Sequence, residues 1–375
     1  MKRMIVTMVL AALAVLGGAQ TLRAEESRPR VQIAILLDTS GSMDGLINQA
    51  RAQIWKIVNE FATAKKNGVR PLFEVALFEY GNDGQPASEG HIRLILPLTD
   101  DLDKVSEELF RLTTNGGQEY CGQVIRAAID RLTWSASNDD LKVVFIAGNE
   151  PFTQGGVDFR ASCRAAIGKG IMVNTIFCGG FDEGVSTQWK EGADLADGAY
   201  MNIDQNSTEV PIPAPQDVEI VRLGEALNAT YIAYGRAGEE AGKRQLAQDA
   251  NAAGAGAPAA AQRAEAKASE MYRNDGWDLV DAEKEGKKDV STMPADELPA
   301  EMQAMTPAER EAFIARKRAE REALQARIRE LSAARDVFVA EKRKELTAEG
   351  ADTLDGAMIR TLRSQAAGKA YEFGK

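Results

Sequence analysis

The segment "DTSGSM" places Asp38, Ser40 and Ser42 in the pattern Asp-x-Ser-x-Ser. It closes a nearly continuous apolar run, "VQIAILLD" over 31–38, and leads into a stretch of helical periodicity. One carboxylate and two hydroxyls at alternate positions of a tight loop can point at one centre. Hard oxygen donors of this kind suit Mg²⁺, which keeps several waters and octahedral geometry. Gly41 lets the loop turn. Without an ion, the same Asp38 would cap the following helix or accept from the backbone amides after it.

A second chemical signal is Cys121, in "GGQEYCGQVI" over 116–125. A cysteine nucleophile needs a base to form its thiolate. His91 is the sole histidine, and no orienting Asn or Asp is marked by the sequence. "GEEAGKR" (238–244) misses the phosphate-loop pattern, because its glycines stand one residue too close and Arg244 replaces the hydroxyl residue. No Gly-x-Ser-x-Gly elbow occurs. The expectation is therefore a protein that is not an enzyme.

The elements that must position these residues alternate. Strand-like runs occur at 31–38, 71–80, 91–99, 141–148, 171–179 and 199–204, with Pro97 marking the third as an edge strand. Helical periodicity occurs at 45–66, 101–113, 121–134, 156–169 and 187–197. Strands alternating with helices imply an α/β fold, a doubly wound, mostly parallel sheet, with ligands at the carboxyl ends of its strands. "PIPAP" (211–215) marks a boundary, and a mainly helical C-terminal region follows. The Ala-, Gly- and Gln-rich stretch at 245–270 reads as helix or linker, with a break favoured at "GAGAPAA". A long charged helix is expected from Thr306 to Leu346. Ile314, Leu324, Ile328, Leu331 and Phe338 nearly fit a heptad, and Lys317, Arg321 and Arg335 interrupt the seam.

The motif at 38–42, its strand and helix, and the element order resemble the von Willebrand factor type A (VWA) domain with its metal-ion-dependent adhesion site (MIDAS), over about residues 29–205. The resemblance implies a VWA, Rossmann-like sheet and an Mg²⁺ site, with Mn²⁺ or Ca²⁺ as alternatives. It further implies a threonine ligand from a second loop, an aspartate from a third, and a protein ligand that donates a carboxylate to the ion. Asp38, Ser40 and Ser42 carry over directly. The second loop falls on "NGGQEYCG", where Gln118 stands at the threonine's place and is followed by Glu119. Glu119 is the expected substitute oxygen, with Thr113 and Thr114 as other sources. The third loop falls on "AGNE" (147–150). Gly148 takes the aspartate's place there, and Asn149 or Glu150 could reach the ion's surroundings. The expected metal residues are Asp38, Ser40, Ser42 and Glu119.

The chain has 375 residues, 44% hydrophobic and 27% charged, with a net charge of −11. That charge argues against a nucleic-acid partner, which needs a basic footprint. Lys2 and Arg3 precede an apolar run to about Ala19, short for a membrane span, with cleavage expected after Ala19 or Ala24. The layout expected is a signal peptide over 1–24, a VWA domain over 29–210, a linker with short helices over 211–295, a long charged helix over 296–348, and a tail over 349–375. No stable membrane insertion is expected after cleavage. In a periplasmic or secreted protein two of Cys121, Cys163 and Cys178 could pair, with Cys163–Cys178 slightly favoured; the alternative is three small buried side chains. The functional expectation is an exported, metal-dependent binding protein for a partner with an acidic side chain, able to oligomerise through its C-terminal helix. The alternative is a metal-free structural or assembly module that binds partners through its helices.

Overall fold

A computed structural model describes residues 28–203, 211–346 and 354–374. The signal peptide read over 1–24 lies outside them. In chain order the first domain contains β1 (Arg30–Asp38), α1 (Asp44–Ala62), β2 (Ala64–Lys66), β3 (Leu72–Tyr80), β4 (Arg93–Thr99), α2 (Leu102–Arg111), α3 (Cys121–Arg131), β5 (Leu141–Gly148), α4 (Phe159–Gly168), β6 (Met172–Cys178), α5 (Phe181–Ser186), α6 (Trp189–Asp194) and β7 (Tyr200–Ile203). There follow α7 (Asp217–Asn228), α8 (Gly235–Gly254), α9 (Ala257–Ala268), α10 (Leu279–Lys284), the 40-residue α11 (Pro307–Leu346), α12 (Leu354–Gly368) and β8 (Tyr371–Phe373).

The main sheet runs β4-β3-β1-β5-β6-β7. Every pair is parallel except β3–β4. After β1 the chain crosses to β3 on one side and later to β5 on the other, so the direction of winding switches between β1 and β5, where such sheets bind ligands. Pro97 sits on the edge strand β4, whose pairing with β3 is irregular near Leu96 and Thr99. Because side chains alternate along a strand, β1 feeds two cores. Ile33, Ile35 and Leu37 meet Val58 and Phe61 of α1 and Leu109 of α2. Ala34 and Leu36 face Val124 and Ile125 of α3, Cys163 of α4 and Trp189 of α6.

Three expectations change. First, the segment expected as a tail belongs to the domain. Met358, Leu362 and Ala366 of α12, with Tyr371 of β8, lie in the same core as β1, β5 and α1. Strand β8 pairs with β2, which ends the predicted helix over 45–66 at Ala62. The VWA-like domain is thus discontinuous, and residues 211–346 are inserted before its last helix. Second, the cysteines are unpaired and buried. Cys163 packs below one face of the sheet and Cys178 below the other, so the sheet itself separates the favoured pair. Third, the heptad-like seam of α11 is occupied within the chain. Ile328 packs with Ile220 and Leu227 of α7 and Ala261 and Ala264 of α9. Arg321 pairs with Asp278 (2.7 Å) and Asp281 (2.8 Å), Arg335 with Asp217 (2.6 Å), and Lys317 donates to the Ala229 carbonyl (2.9 Å). The cations that interrupt a coiled-coil seam are here its polar contacts to the rest of the insertion. The predicted break between α8 and α9 falls at Gly256, in a left-handed conformation (φ 107°). Among the described residues no helix is long and apolar enough to cross a membrane.

Candidate metal centre

Asp38 ends β1, and the loop after it turns into α1. The Ser40 amide donates to Asp38 Oδ1 at 2.7 Å. Asp38 Oδ2 is buried and has no hydrogen-bond partner. Ser40 Oγ lies 3.3 Å from Ser42 Oγ, and Ser42 Oγ is 3.5 Å from Asn149 Oδ1. Asp38 and Ser40 are buried, at 0% and 4% exposure, while Ser42 opens to solvent.

The second loop closes over this one. The Asn115 amide donates to the Thr39 carbonyl (3.0 Å), the Asp83 amide to the Gly116 carbonyl (2.7 Å), and Asn82 Nδ2 to the Thr113 carbonyl (2.9 Å). This bracing turns Gln118 outward and buries Glu119 at 3% exposure. The Glu119 carboxyl stands next to Asp38 and Ser40. Its Oε2 accepts from the Glu150 amide at 3.3 Å, and its own amide donates to Gln154 Oε1 at 3.0 Å. Thr113 is exposed, and Thr114 Oγ1 donates to Asp44 Oδ1, so neither hydroxyl is turned to the Asp38–Glu119 pair. Asp38, Ser40, Ser42 and Glu119 are therefore brought together, with Asn149 at the rim and Glu150 acting through its backbone.

Burial raises the Asp38 carboxyl well above the ordinary carboxylate range, and the neighbouring Glu119 raises it further. Glu119 is raised too, first by burial, with hydrogen bonds from Asp38 and Ser40 acting in the opposite sense. Two carboxylates this close cannot both be charged cheaply: they share a proton or surround a cation. The unpartnered Asp38 Oδ2, the Glu119 carboxylate and two serine hydroxyls form a hard oxygen set that fits a divalent cation. Among the described residues no group of three or more His, Cys, Asp or Glu is placed to hold a metal. A cation here would therefore rely on hydroxyls and water beside the two acids.

The third-loop glycine that stands at the aspartate's place has a steric reason. A Cβ on Gly148 would stand 2.5 Å from Tyr80 Oη and 3.0 Å from Asp38 Oδ2. The Tyr80 hydroxyl, donating to the Ala147 carbonyl at 2.9 Å, fills the space a third-loop aspartate would need. Gly81 lies in a left-handed turn (φ 77°), where a Cβ would meet Asp38 Oδ1 at 2.8 Å and Glu119 Cγ at 2.9 Å. Tyr80 and Gly81 were not singled out from the sequence. The signal was the register of two adjacent strands, since Tyr80 pairs with Asp38.

Cys121 is fully buried behind the second loop, its Sγ 3.9 Å from Tyr80 Oη, and burial pushes its thiol well above the ordinary range. His91 stands beside Asp83 (Nδ1 to Oδ1, 3.7 Å) and the Tyr120 ring. A cleft of about 320 Å³ flanks the Asp38–Ser42 loop, lined by Asp44, Ile47, Asn48, Arg51, Leu112, Thr113 and Thr114.

Such a sheet, flanked by helices and with an oxygen-rich loop at its switch point, has a VWA-like, Rossmann-like α/β fold. Residues 32–203 match the family model of the von Willebrand factor type A domain. Solved structures similar to the chain include BatB from Bacteroides thetaiotaomicron, with 18% identity over 47% of this chain and 91% of that one and a TM-score of 0.36. Proximal thread matrix protein 1 from the mussel byssus, with a zinc-occupied MIDAS motif, is 14% identical over 47% of this chain and 42% of that one (TM-score 0.36). The pilus adhesin SpaC from Lactobacillus rhamnosus GG is 14% identical over 48% and 28% respectively (TM-score 0.35). The search of curated proteins found no match.

Proposed function

We propose that this protein is a non-enzymatic binding protein whose VWA domain holds a divalent cation and uses it to capture a carboxylate of a protein partner. The observation that carries the reading is the buried, unpartnered Asp38 Oδ2 beside Glu119, at the rim of a sheet whose winding switches there. Asp38 and Glu119 would hold the ion with Ser40 and Ser42, and Asn149 would orient Ser42. The bound cation would supply Lewis-acid attraction for an anionic oxygen. The partner side chain would approach past Ser42, the exposed member of the set. Mg²⁺ is the proposed ion, with Mn²⁺ or Ca²⁺ as substitutes. The signal-like N-terminus supports export to the periplasm or beyond, where burial would shield the three thiols.

A metal-free assembly module is the second reading. It is favoured by the Ser40 amide already satisfying Asp38 Oδ1. Calorimetric titration with Mg²⁺ and Mn²⁺ separates the two. Saturable heat from the wild type that Asp38→Ala removes is expected, and no heat from the wild type sinks the first reading.

A further inference from the structure

Both helices that carry the metal-site loops are held from behind by the inserted helical region. Helix α1 begins directly after the Asp38–Ser42 loop. Helix α2 ends where the loop carrying Glu119 begins. On α1, the Trp55 ring lies under the Arg263 guanidinium of α9 (4.3 Å to the ring centroid), and Asn59 Nδ2 donates to the Gln262 carbonyl (2.9 Å). On α2, Asp103 pairs with the same guanidinium at 2.7 Å and accepts from Tyr272 Oη at 2.5 Å. One turn further, Ser106 Oγ donates to Gln248 Oε1 of α8 at 2.8 Å, and Glu107 pairs with Arg244 of α8 at 2.9 Å.

The centre of this arrangement is dry. The Arg263 and Asp103 side chains are 2% and 5% exposed, and Asp249 takes the remaining Nε of Arg263 at 2.8 Å. A buried guanidinium with two carboxylates, a phenol and an indole has fixed geometry, since moving either helix would strand a desolvated charge. Trp55 lies about 18 Å along α1 from the metal loop and Asp103 about 12 Å along α2 from its end, at 1.5 Å per residue. Helices transmit displacement over such lengths as rigid rods. The insertion bears on the second half of α1 and the first turns of α2, the parts remote from the two loops.

We propose that the insertion is a positioning brace, with Arg263 and Arg244 as positioning residues that fix the Asp38–Ser42 loop and the Glu119 loop relative to one another. A ligand or partner that shifts α8 and α9 would then change metal affinity at the far end of α1 and α2, and metal would reciprocally favour one seating of the insertion. The proposal rests on the metal reading for its functional consequence and on the contacts alone for its mechanical part.

The test uses the full chain with two variants. Arg263→Met removes the centre of the brace, and the milder Ser106→Ala/Arg244→Gln pair loosens only the α2 contacts, which secures the test if the first fails to fold. Amide hydrogen exchange is read in metal-free protein at 38–42 and 113–120, with β6 as the internal reference, and Mg²⁺ affinity is read by calorimetry. Faster exchange in both loops with β6 unchanged, and a dissociation constant raised about threefold or more, are expected. A lowered melting temperature with exchange in both loops unchanged would show the contacts to be structural support and overturn the brace. If the wild type takes up no Mg²⁺, the metal reading falls and the exchange comparison alone decides the brace.

Discussion

At the residue scale, the oxygen-bearing side chains of Asp38, Ser40, Ser42 and Glu119 must tolerate one another in a small space. Asp38 and Glu119 are buried side by side, and Glu119 comes from the loop where the family resemblance implies a threonine. Glu119→Ala is therefore predicted to weaken Mg²⁺ binding by roughly tenfold or more, through loss of one charged ligand. Gln118→Ala, one residue away but facing solvent, should leave the affinity unchanged in the same titration. Gly148→Asp should not restore a more regular site. Its Cβ would press on Tyr80 Oη, and overpacking of this kind costs about 1–3 kcal/mol. Urea unfolding should show that cost, and Tyr80→Phe in the same chain should relieve part of it by removing the hydroxyl. The Asp-x-Ser-x-Ser loop was readable because its chemistry is local. Glu119 could be named only through the family resemblance, as the residue next to the place where that resemblance implies a threonine. Tyr80 was not readable, because its relevance comes from lying across the sheet from Asp38.

At the scale of elements, helix α11 shows charge used as packing. Arg321 reaches Asp278 and Asp281 with 5% of its side chain exposed. Arg321→Met should cost about 3–5 kcal/mol in urea unfolding, since it strands buried carboxylates. Arg327→Ala, on the exposed face and half accessible, should stay within about 0.5 kcal/mol. The same helix contributes a pH dependence. Glu265 of α9 is pushed up to about 7, first by burial and then by the charge of Asp336, with Arg335 opposing. A carboxyl whose pKa is higher folded than unfolded binds more protons in the native state, so stability falls as pH rises from the ordinary glutamate value of about 4.3 towards 7. Glu265→Gln should flatten that fall in melting temperatures measured from pH 5 to pH 8, and an unchanged slope would refute the assignment. Strands and helices were largely legible because apolar runs and 3.6-residue periodicity are strong in β1, β5, β6 and α1. The destination of the α11 seam was not. A heptad with arginines in it reads as a poor coiled coil until Asp217 and Asp278, far away in sequence, are seen to meet those arginines.

At the scale of the whole molecule, the chain leaves its first domain after β7, builds a helical unit, and returns to complete the sheet's helical cover with α12 and β8. No local pattern announced that return, because "LDGAMIRTLRSQAAG" reads equally well as a surface helix until Met358 and Leu362 are found beneath β1 and β5. A chain ending at Leu346 should lose cooperative unfolding and bind a hydrophobic dye, since each core side chain removed forfeits about 1.5–3 kcal/mol. A chain with 211–346 replaced by a flexible linker should keep its cooperative transition. The discontinuous domain presents the candidate metal centre at one edge and the insertion on its flank, an arrangement suited to coupling two binding events. The most direct test of that reading is calorimetric titration of the full chain with Mg²⁺, run beside Asp38→Ala. One saturable site in the wild type, absent from the variant, is the predicted result; no binding heat in the wild type, or the same heat in both, would contradict it.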